Sequence, residues 1–351
     1  MFGSLGKQFA GDIANQVQQK LGEHLSNKSR EKGSTEQATE TLGQVTGRRK
    51  ALFIGINYYG QNGELRGCIN DVHNIKNFLT KNYRIDEVLV LTDDQKSNPD
   101  KMPTRKNILA AFRWLRNGAK SGDSLIFHYS GHGGSVKDTD GDEEDGMDET
   151  LIPVDYQQAG HIVDDEVHDV LVRGLPKGVR LTAIMDCCHS ESMLDLPYIY
   201  TVNGDLQIIE TSKNEGICTL VGAGTRFLLD GNKKSKRAMS SIAQGMKQLM
   251  SSTSGGGNSA AREKTIKTRS TEADVIQFSG CRDSQTSADA TIGGTATGAM
   301  SYALITSLKK NKNQNYTHLL KEMRQLLDGK YTQIPCMSAG RKLVLDDSFA
   351  I

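Results

Sequence analysis

Two short stretches of the chain carry residues that could do covalent chemistry: Leu125-Ile-Phe-His-Tyr-Ser-Gly-His132-Gly-Gly134 and Leu181-Thr-Ala-Ile-Met-Asp-Cys-Cys188-His189-Ser190. A free cysteine with a pKa of about 8.5 is only a few per cent thiolate at neutral pH, and a neighbouring imidazole that takes its proton is the usual remedy. His132 and Cys188, 56 positions apart, supply such a pair. Side chains alternate along a strand, so only one of Cys187 and Cys188 can face that imidazole. His189 is a rival base, but it directly follows the thiol and its ring need not reach the sulfur. No third residue completing a triad is evident. Two other readings compete: free cysteines are often simply packed core residues, and Cys187, Cys188 and His132 could hold zinc, although adjacent cysteines are not the usual separated ligand pair.

Each stretch ends an apolar or β-branched run of strand length. Such runs suit buried strands of a parallel sheet, at whose carboxyl ends ligands and chemistry collect. The rest of the chain alternates accordingly. Strands are expected at Ala51–Ile56, Glu87–Leu91, Ser124–His128, Arg180–Met185 and Val275–Phe278, with a last strand at Lys342–Leu345. Helices are expected at Ile69–Asn82, Thr104–Asn117, Asp164–Val172, Ala299–Lys309 and Tyr316–Leu327, where Val72, Ile75 and Leu79 or Ile108, Phe112 and Leu115 recur at helical spacing. The pattern implies an α/β fold with a mostly parallel central sheet flanked by helices on both faces.

A chain of 351 residues accommodates one such domain with appendages. Residues 1–49 read as an N-terminal prosegment. Leu5, Phe9, Ile13, Val17, Leu21 and Leu25 mark an amphipathic helix over about 1–26, and a polar linker follows to residue 47. Residues 50–351 form the main domain, with a long basic and Gly/Ser-rich insert at about 230–272 and a short helix near Ser240–Met250 inside it. The net charge of +1 and the lack of a long basic face argue against nucleic acid as a partner. No run approaches the length of a membrane span. The six cysteines show no paired spacing, which suits reduced thiols in a cytoplasmic, or also nuclear, protein.

Six motifs, in order, carry a family resemblance: Ala51-Leu-Phe-Ile-Gly-Ile-Asn57, Leu65-Arg-Gly-Cys-Ile-Asn-Asp71, Asp140-Gly-Asp-Glu-Glu-Asp-Gly146, Pro153-Val-Asp155, Asp186-Cys-Cys-His-Ser190 and the run from Ser279 to Ala290. With Ser-Gly-His-Gly around His132, they make the chain resemble a type I metacaspase from about Arg49 onward. The separation of His132 from Cys188 agrees with the roughly 50 residues of caspase-type enzymes. The resemblance implies a caspase-like fold, Cys188 as nucleophile, Cys187 as its core-facing neighbour and His132 as base. The backbone amides of Gly133 and Cys188 are the expected oxyanion donors, because glycine permits close approach.

The same resemblance implies cleavage of protein or peptide substrates after Arg or Lys, with Cys68, Asp71, Ser130 and Asp186 forming an acidic pocket for the cation. It implies a Ca2+ site made by Asp148, Asp164, Asp165 and Asp195, separated aspartates rather than an EF-hand. The acidic run Asp138–Glu149 only superficially suggests an EF-hand, since Glu143 stands where that loop needs Gly. Autoprocessing would then use basic residues: Arg49, Lys50, Lys247, Arg262, Lys264, Lys267 or Arg269. A zymogen acting as a monomer is expected, with a role in cell death, stress or clearance of aggregates. One departure stands out: Glu191 replaces the usual Gly after His-Ser, adding bulk and negative charge beside the nucleophile. The rival functions are a catalytically weak caspase-like scaffold and a hydrolase of small amides.

Overall fold

The computed structural model describes residues 41–137, 147–187, 193–202, 208–212, 266–281, 290–292, 295–328, 331 and 334–351. The expected N-terminal helix, the acidic residues 138–146, the helix near Ser240–Met250 and most of the insert lie outside this set.

In chain order the elements are β1 (Arg49–Gly55), α1 (Cys68–Asn82), β2 (Glu87–Thr92), α2 (Arg105–Arg116), β3 (Ser124–Ser130), β4 (Gly133–Lys137), β5 (Met147–Leu151), α3 (Tyr156–Ala159), β6 (Ile162–Val163) and α4 (Asp164–Val167). Then come β7 (Arg180–Asp186), β8 (Tyr198–Val202), β9 (Ile208–Ser212), β10 (Asp274–Cys281), β11 (Ala290–Ile292), β12 (Thr295–Thr297), α5 (Ala299–Lys310), α6 (Tyr316–Leu327) and β13 (Ile334–Ala339). A π-helical turn, His168–Val172, continues α4.

The central sheet has eight strands in the order β2-β1-β3-β7-β10-β13-β8-β9. The first five run parallel, and β13, β8 and β9 add antiparallel partners at one side. Burial on both faces explains why β3 and β7 are buried at every position. Alternation along β1 divides the core: Leu52 and Ile54 join the cluster containing Ile108, Phe112 and Leu115 of α2, while Ala51 and Phe53 join Val72, Ile75 and Leu79 of α1 and Leu304 and Leu319 of α5 and α6. The two expected helical stripes therefore cover opposite faces of the sheet. Thr104 caps α2 and Asn315 caps α6 with side-chain oxygens that accept backbone N–H groups. Among the described residues no helix is long and apolar enough to cross a membrane.

One expected strand is displaced. The last strand is Ile334–Ala339, not Lys342–Leu345. Pro335 argues against a strand by its missing N–H, yet here it sits near the end of the β10–β13 ladder opposite Gly280. Residues 342–345 leave the sheet: Leu343 is buried and donates its N–H to the Tyr200 hydroxyl. A further sheet of β4, β5 and β6 forms that was not expected, with the acidic Asp148 and Glu149 inside β5.

The segment before β1 is more attached than a free linker. Leu42 and Gly43 donate N–H groups to Asp347 and Asp274, and Thr46 and Gly47 bond to Gly122.

Candidate active site

Parallel register aligns Gly55, Ser130 and Asp186 at the carboxyl ends of β1, β3 and β7. The loops leaving these strands carry the candidate chemistry. His132 follows β3 by two residues, and Cys187 follows β7. Cys187 is 1% exposed and packs within the core, as expected of the neighbour that faces inward. Cys188 and Glu191 lie outside the described residues. Gly133, the expected oxyanion donor beside His132, opens β4.

His132 is held from three sides. Its Nε2 lies 2.6 Å from the Gly63 carbonyl oxygen. A carbonyl only accepts, so Nε2 carries the hydrogen and the neutral ring keeps its free lone pair at Nδ1. The Tyr58 ring packs against the imidazole with centroids 4.6 Å apart. The backbone is clamped as well, because the His132 N–H donates to the Tyr58 hydroxyl at 3.0 Å while the Tyr129 hydroxyl donates to its carbonyl at 2.8 Å. Tyr58 in turn donates to the Ile152 carbonyl at 2.6 Å. Burial pushes both phenols well above their ordinary range, so they remain neutral donors. Gly63, at φ +81°, is where glycine is required: an added Cβ would lie 3.1 Å from Nε2 of His132.

This clamp supplies an orienting group for the imidazole that the sequence reading did not find. Tyr58→Phe removes one hydroxyl and leaves the His132 N–H and Ile152 carbonyl without that partner. About 1.4 kcal/mol of lost orientation would lower kcat about tenfold. Steady-state kinetics on a peptide substrate should show that loss with KM within twofold; a change confined to KM would mean that Tyr58 shapes substrate binding instead.

Of the four expected pocket residues, Asp71, Ser130 and Asp186 come together, and Cys68 lies one helical turn before Asp71 in α1. Cys68, Asp71, Ser130 and Asp186 are all buried. Ser130 donates to Asp71 Oδ2 at 2.8 Å. The other Asp71 oxygen accepts the Gly298 N–H at 2.7 Å, and Asp186 accepts from the Met300 and Ser301 backbone at the start of α5. The Ser301 hydroxyl also donates to Asp186. Both carboxylates therefore face the positive end of a helix, where negative charge is favoured. A Cβ on Gly298 would lie 2.2 Å from Asp186 Oδ1. Gly298 and Ser301 were not singled out from sequence, because nothing local marks the start of a distant helix as part of the pocket. Buried His128 joins them: its Nε2 lies 3.0 Å from the Ser301 hydroxyl and 3.5 Å from Asp186.

Three of the four expected calcium ligands, Asp148, Asp164 and Asp195, are buried. Asp164 opens α4 and accepts the N–H groups of Glu149 and Asp165. Buried carboxylate oxygens are the hard donors that calcium takes. Among the described residues, however, no three Asp, Glu, His or Cys side chains converge into a metal-holding group. The cation between Asp165 and Asp195 is Arg269, which bonds Asp165 and places Nε 2.5 Å from Asp195 Oδ2. The Asp195 contact is an ion pair without aligned hydrogen-bond geometry.

Several expected cleavage residues have definite places. Arg49 and Lys50 lie within β1, Arg49 paired with β3 and Lys50 with both β2 and β3, and the Lys50 ammonium sits 4.2 Å above the Trp114 ring. Lys267 and Arg269 belong to a helical turn at 266–269, where Lys267 is exposed and Arg269 buried. Lys247, Arg262 and Lys264 lie outside the described residues.

The sequence model of the family described as "Metacaspase, peptidase C14 domain" matches residues 49–197. Among curated relatives, Metacaspase-1 of Ajellomyces capsulatus is 51% identical over 305 residues, covering 86% of this chain and 82% of that protein. Metacaspase-1A of Neurospora crassa is 49% identical over 310 residues, covering 87% of this chain but only 66% of that protein. Caspase-1 from Spodoptera frugiperda aligns over 91% of this chain and 97% of its own, at 11% identity and a TM-score of 0.39, too low to add to what the sheet shows.

Proposed function

Because the chain belongs to the metacaspase family of cysteine peptidases, we propose that it is a calcium-activated endopeptidase that cuts proteins after Arg or Lys, its own basic insert included. The observation that carries this reading is the meeting on one strand rim of an oriented imidazole, His132, with the buried acidic pair Asp71 and Asp186.

In this mechanism Nδ1 of His132 takes the proton of the Cys188 thiol, and the thiolate attacks the carbonyl carbon after the basic residue. The amides of Gly133 and Cys188 receive the developing oxyanion. His132 then returns its proton to the amine as the C–N bond breaks, leaving a thioester on Cys188. Water, deprotonated by the same imidazole, hydrolyses that thioester. Asp71 and Asp186 supply the negative charge that a guanidinium or ammonium seeks. Calcium would be held by Asp148, Asp164, Asp165 and Asp195, where it would supply positive charge to order the loop after Cys188. The β8–β9 hairpin covers β13 and supports a monomer, since that side of β13 already has a partner.

The test is hydrolysis of matched fluorogenic peptides ending in Arg, Lys or Asp, with millimolar calcium or with chelator. The expected outcome is calcium-dependent cleavage after Arg and Lys only, reduced to background in Cys188→Ala. Cleavage after Asp would overturn the pocket assignment, and equal rates in chelator would overturn the metal. The charge of Glu191 favours a second reading, a weak enzyme serving as a scaffold. Silence against all three peptides, restored by Glu191→Gly, would mark that residue as the cause.

A further inference from the structure

Arg269 occupies a position unlike that of an ordinary surface arginine. Its side chain is 6% exposed, against 1% for its partner Asp195 and 32% for Asp165. The guanidinium spans two segments distant in sequence, α4 and the turn that follows the nucleophile loop. It reaches them through different nitrogens, Nη2 to Asp165 and Nε to Asp195. Asp195 has φ +50°, a left-handed conformation that a non-glycine residue adopts only when its surroundings hold it there. A buried carboxylate that loses its cation is left strongly destabilised, so Asp195 needs a positive charge whichever one it is, and the part-exposed Asp165 shares it.

We propose that Arg269 is a built-in competitor for calcium. Its guanidinium and a divalent cation take the same aspartate oxygens in turn, and calcium binds these aspartates only as Arg269 leaves. This rests on the calcium reading above and adds to it the event that calcium must displace. Calcium needs six to eight oxygen ligands, and Asp165 and Asp195 cannot close on it while a planar five-donor group lies between them. Asp164, whose oxygens are anchored by two backbone amides, stays in place as the fixed part of the site.

The position of Arg269 in the chain gives the exchange a consequence. It ends the turn 266–269, at the downstream end of the insert and five residues before β10. Immediately beyond it, Thr271 is tied to Gly340 and Ala273 to Thr271, so release would propagate toward the insert rather than into the sheet. Calcium entry thus ejects a basic residue that the proposed specificity could cut.

The test uses the full chain carrying Cys188→Ala, which prevents self-digestion, with and without Arg269→Gln. Isothermal calorimetry should show calcium binding at least tenfold tighter when Arg269 is Gln, lost in both backgrounds when Asp195→Asn is added. A thermal melt in chelator should show the Arg269→Gln protein less stable than its parent, with calcium restoring the difference. In the parent, trypsin followed by mass spectrometry should find the bond after Arg269 protected in chelator and cut in calcium, with the midpoint of the binding curve. That second readout stands if Arg269→Gln fails to fold. Equal or weaker calcium binding by Arg269→Gln, together with binding by the parent lost on Asp195→Asn, overturns the competition and leaves the calcium site standing. Binding by neither protein, or binding indifferent to Asp195→Asn, overturns both.

Discussion

Replacing His132 with Ala should lower kcat/KM by about 10³- to 10⁴-fold with the melting temperature changed by only a few degrees. The effect is large because the imidazole is asked to take a proton from the thiol and later to return one to the leaving amine. The structural cost is small because the ring is half-buried at the sheet rim rather than in the core. A second readout separates chemistry from folding. The pH profile of Cys188 alkylation by iodoacetamide should move toward that of a free thiol, near 8.5, once the imidazole is gone. An unchanged alkylation profile would remove His132 from its place beside the sulfur.

The second large effect is on stability. Arg180→Ala should cost about 3 kcal/mol and lower the melting temperature by about 6 to 12 °C. Arg180 is 2% exposed at the start of β7, where its guanidinium bonds the carbonyls of Gly43 and Ala350, the Tyr316 hydroxyl and the Asp274 carboxylate. One buried cation thereby joins the segment before β1, the end of the chain, α6 and the start of β10. Arg341, also paired with Asp274, keeps that carboxylate from being stranded altogether, which places the cost at the lower end for a broken buried pair. A loss below about 1 kcal/mol would show that Arg180 does not fasten these segments together.

Most of the framework was legible because the strands that carry it are buried on both faces. Runs such as Ala51–Ile56 and Leu181–Met185 are then largely apolar or β-branched, and a short run of that kind bounded by turn formers announces itself. The helix Tyr316–Leu327 was found to the residue, since one face is committed to the core. What escaped was structure whose cause lies elsewhere in the chain. No apolar run marks β5, whose acidic Asp148 and Glu149 are placed by pairing with β4, and Pro335 hides a strand whose need for N–H groups is slight at that point of the ladder.

At the site, residues that touch substrate belong to short motifs, and motifs are visible. Residues that hold those groups in place are not marked by spacing. Tyr129 lies inside a quoted motif and Tyr58 just past the end of another, yet their grip on the His132 backbone depends on hydroxyl positions that only the fold brings together. Gly63 contributes a carbonyl oxygen, which every residue has, so only its positive φ and the crowding at its Cα single it out. Arg269 was legible as a basic residue but not as the buried partner of two aspartates, because charge in a sequence carries no direction.

The direction of the parallel strands gives the molecule two poles. Leu42, Gly43, Ala350 and Ile351 gather where β1, β7 and β10 begin, whereas Ser130, His132 and Asp186 stand where β3 and β7 finish. A seven-residue strand separates these poles by roughly 20 Å. Whatever is joined ahead of Leu42 or behind Ile351 thus enters on the side turned away from the cleft. Short additions behind Ile351 begin at the pole opposite the rim, so the protein can be tagged there with its working face outward.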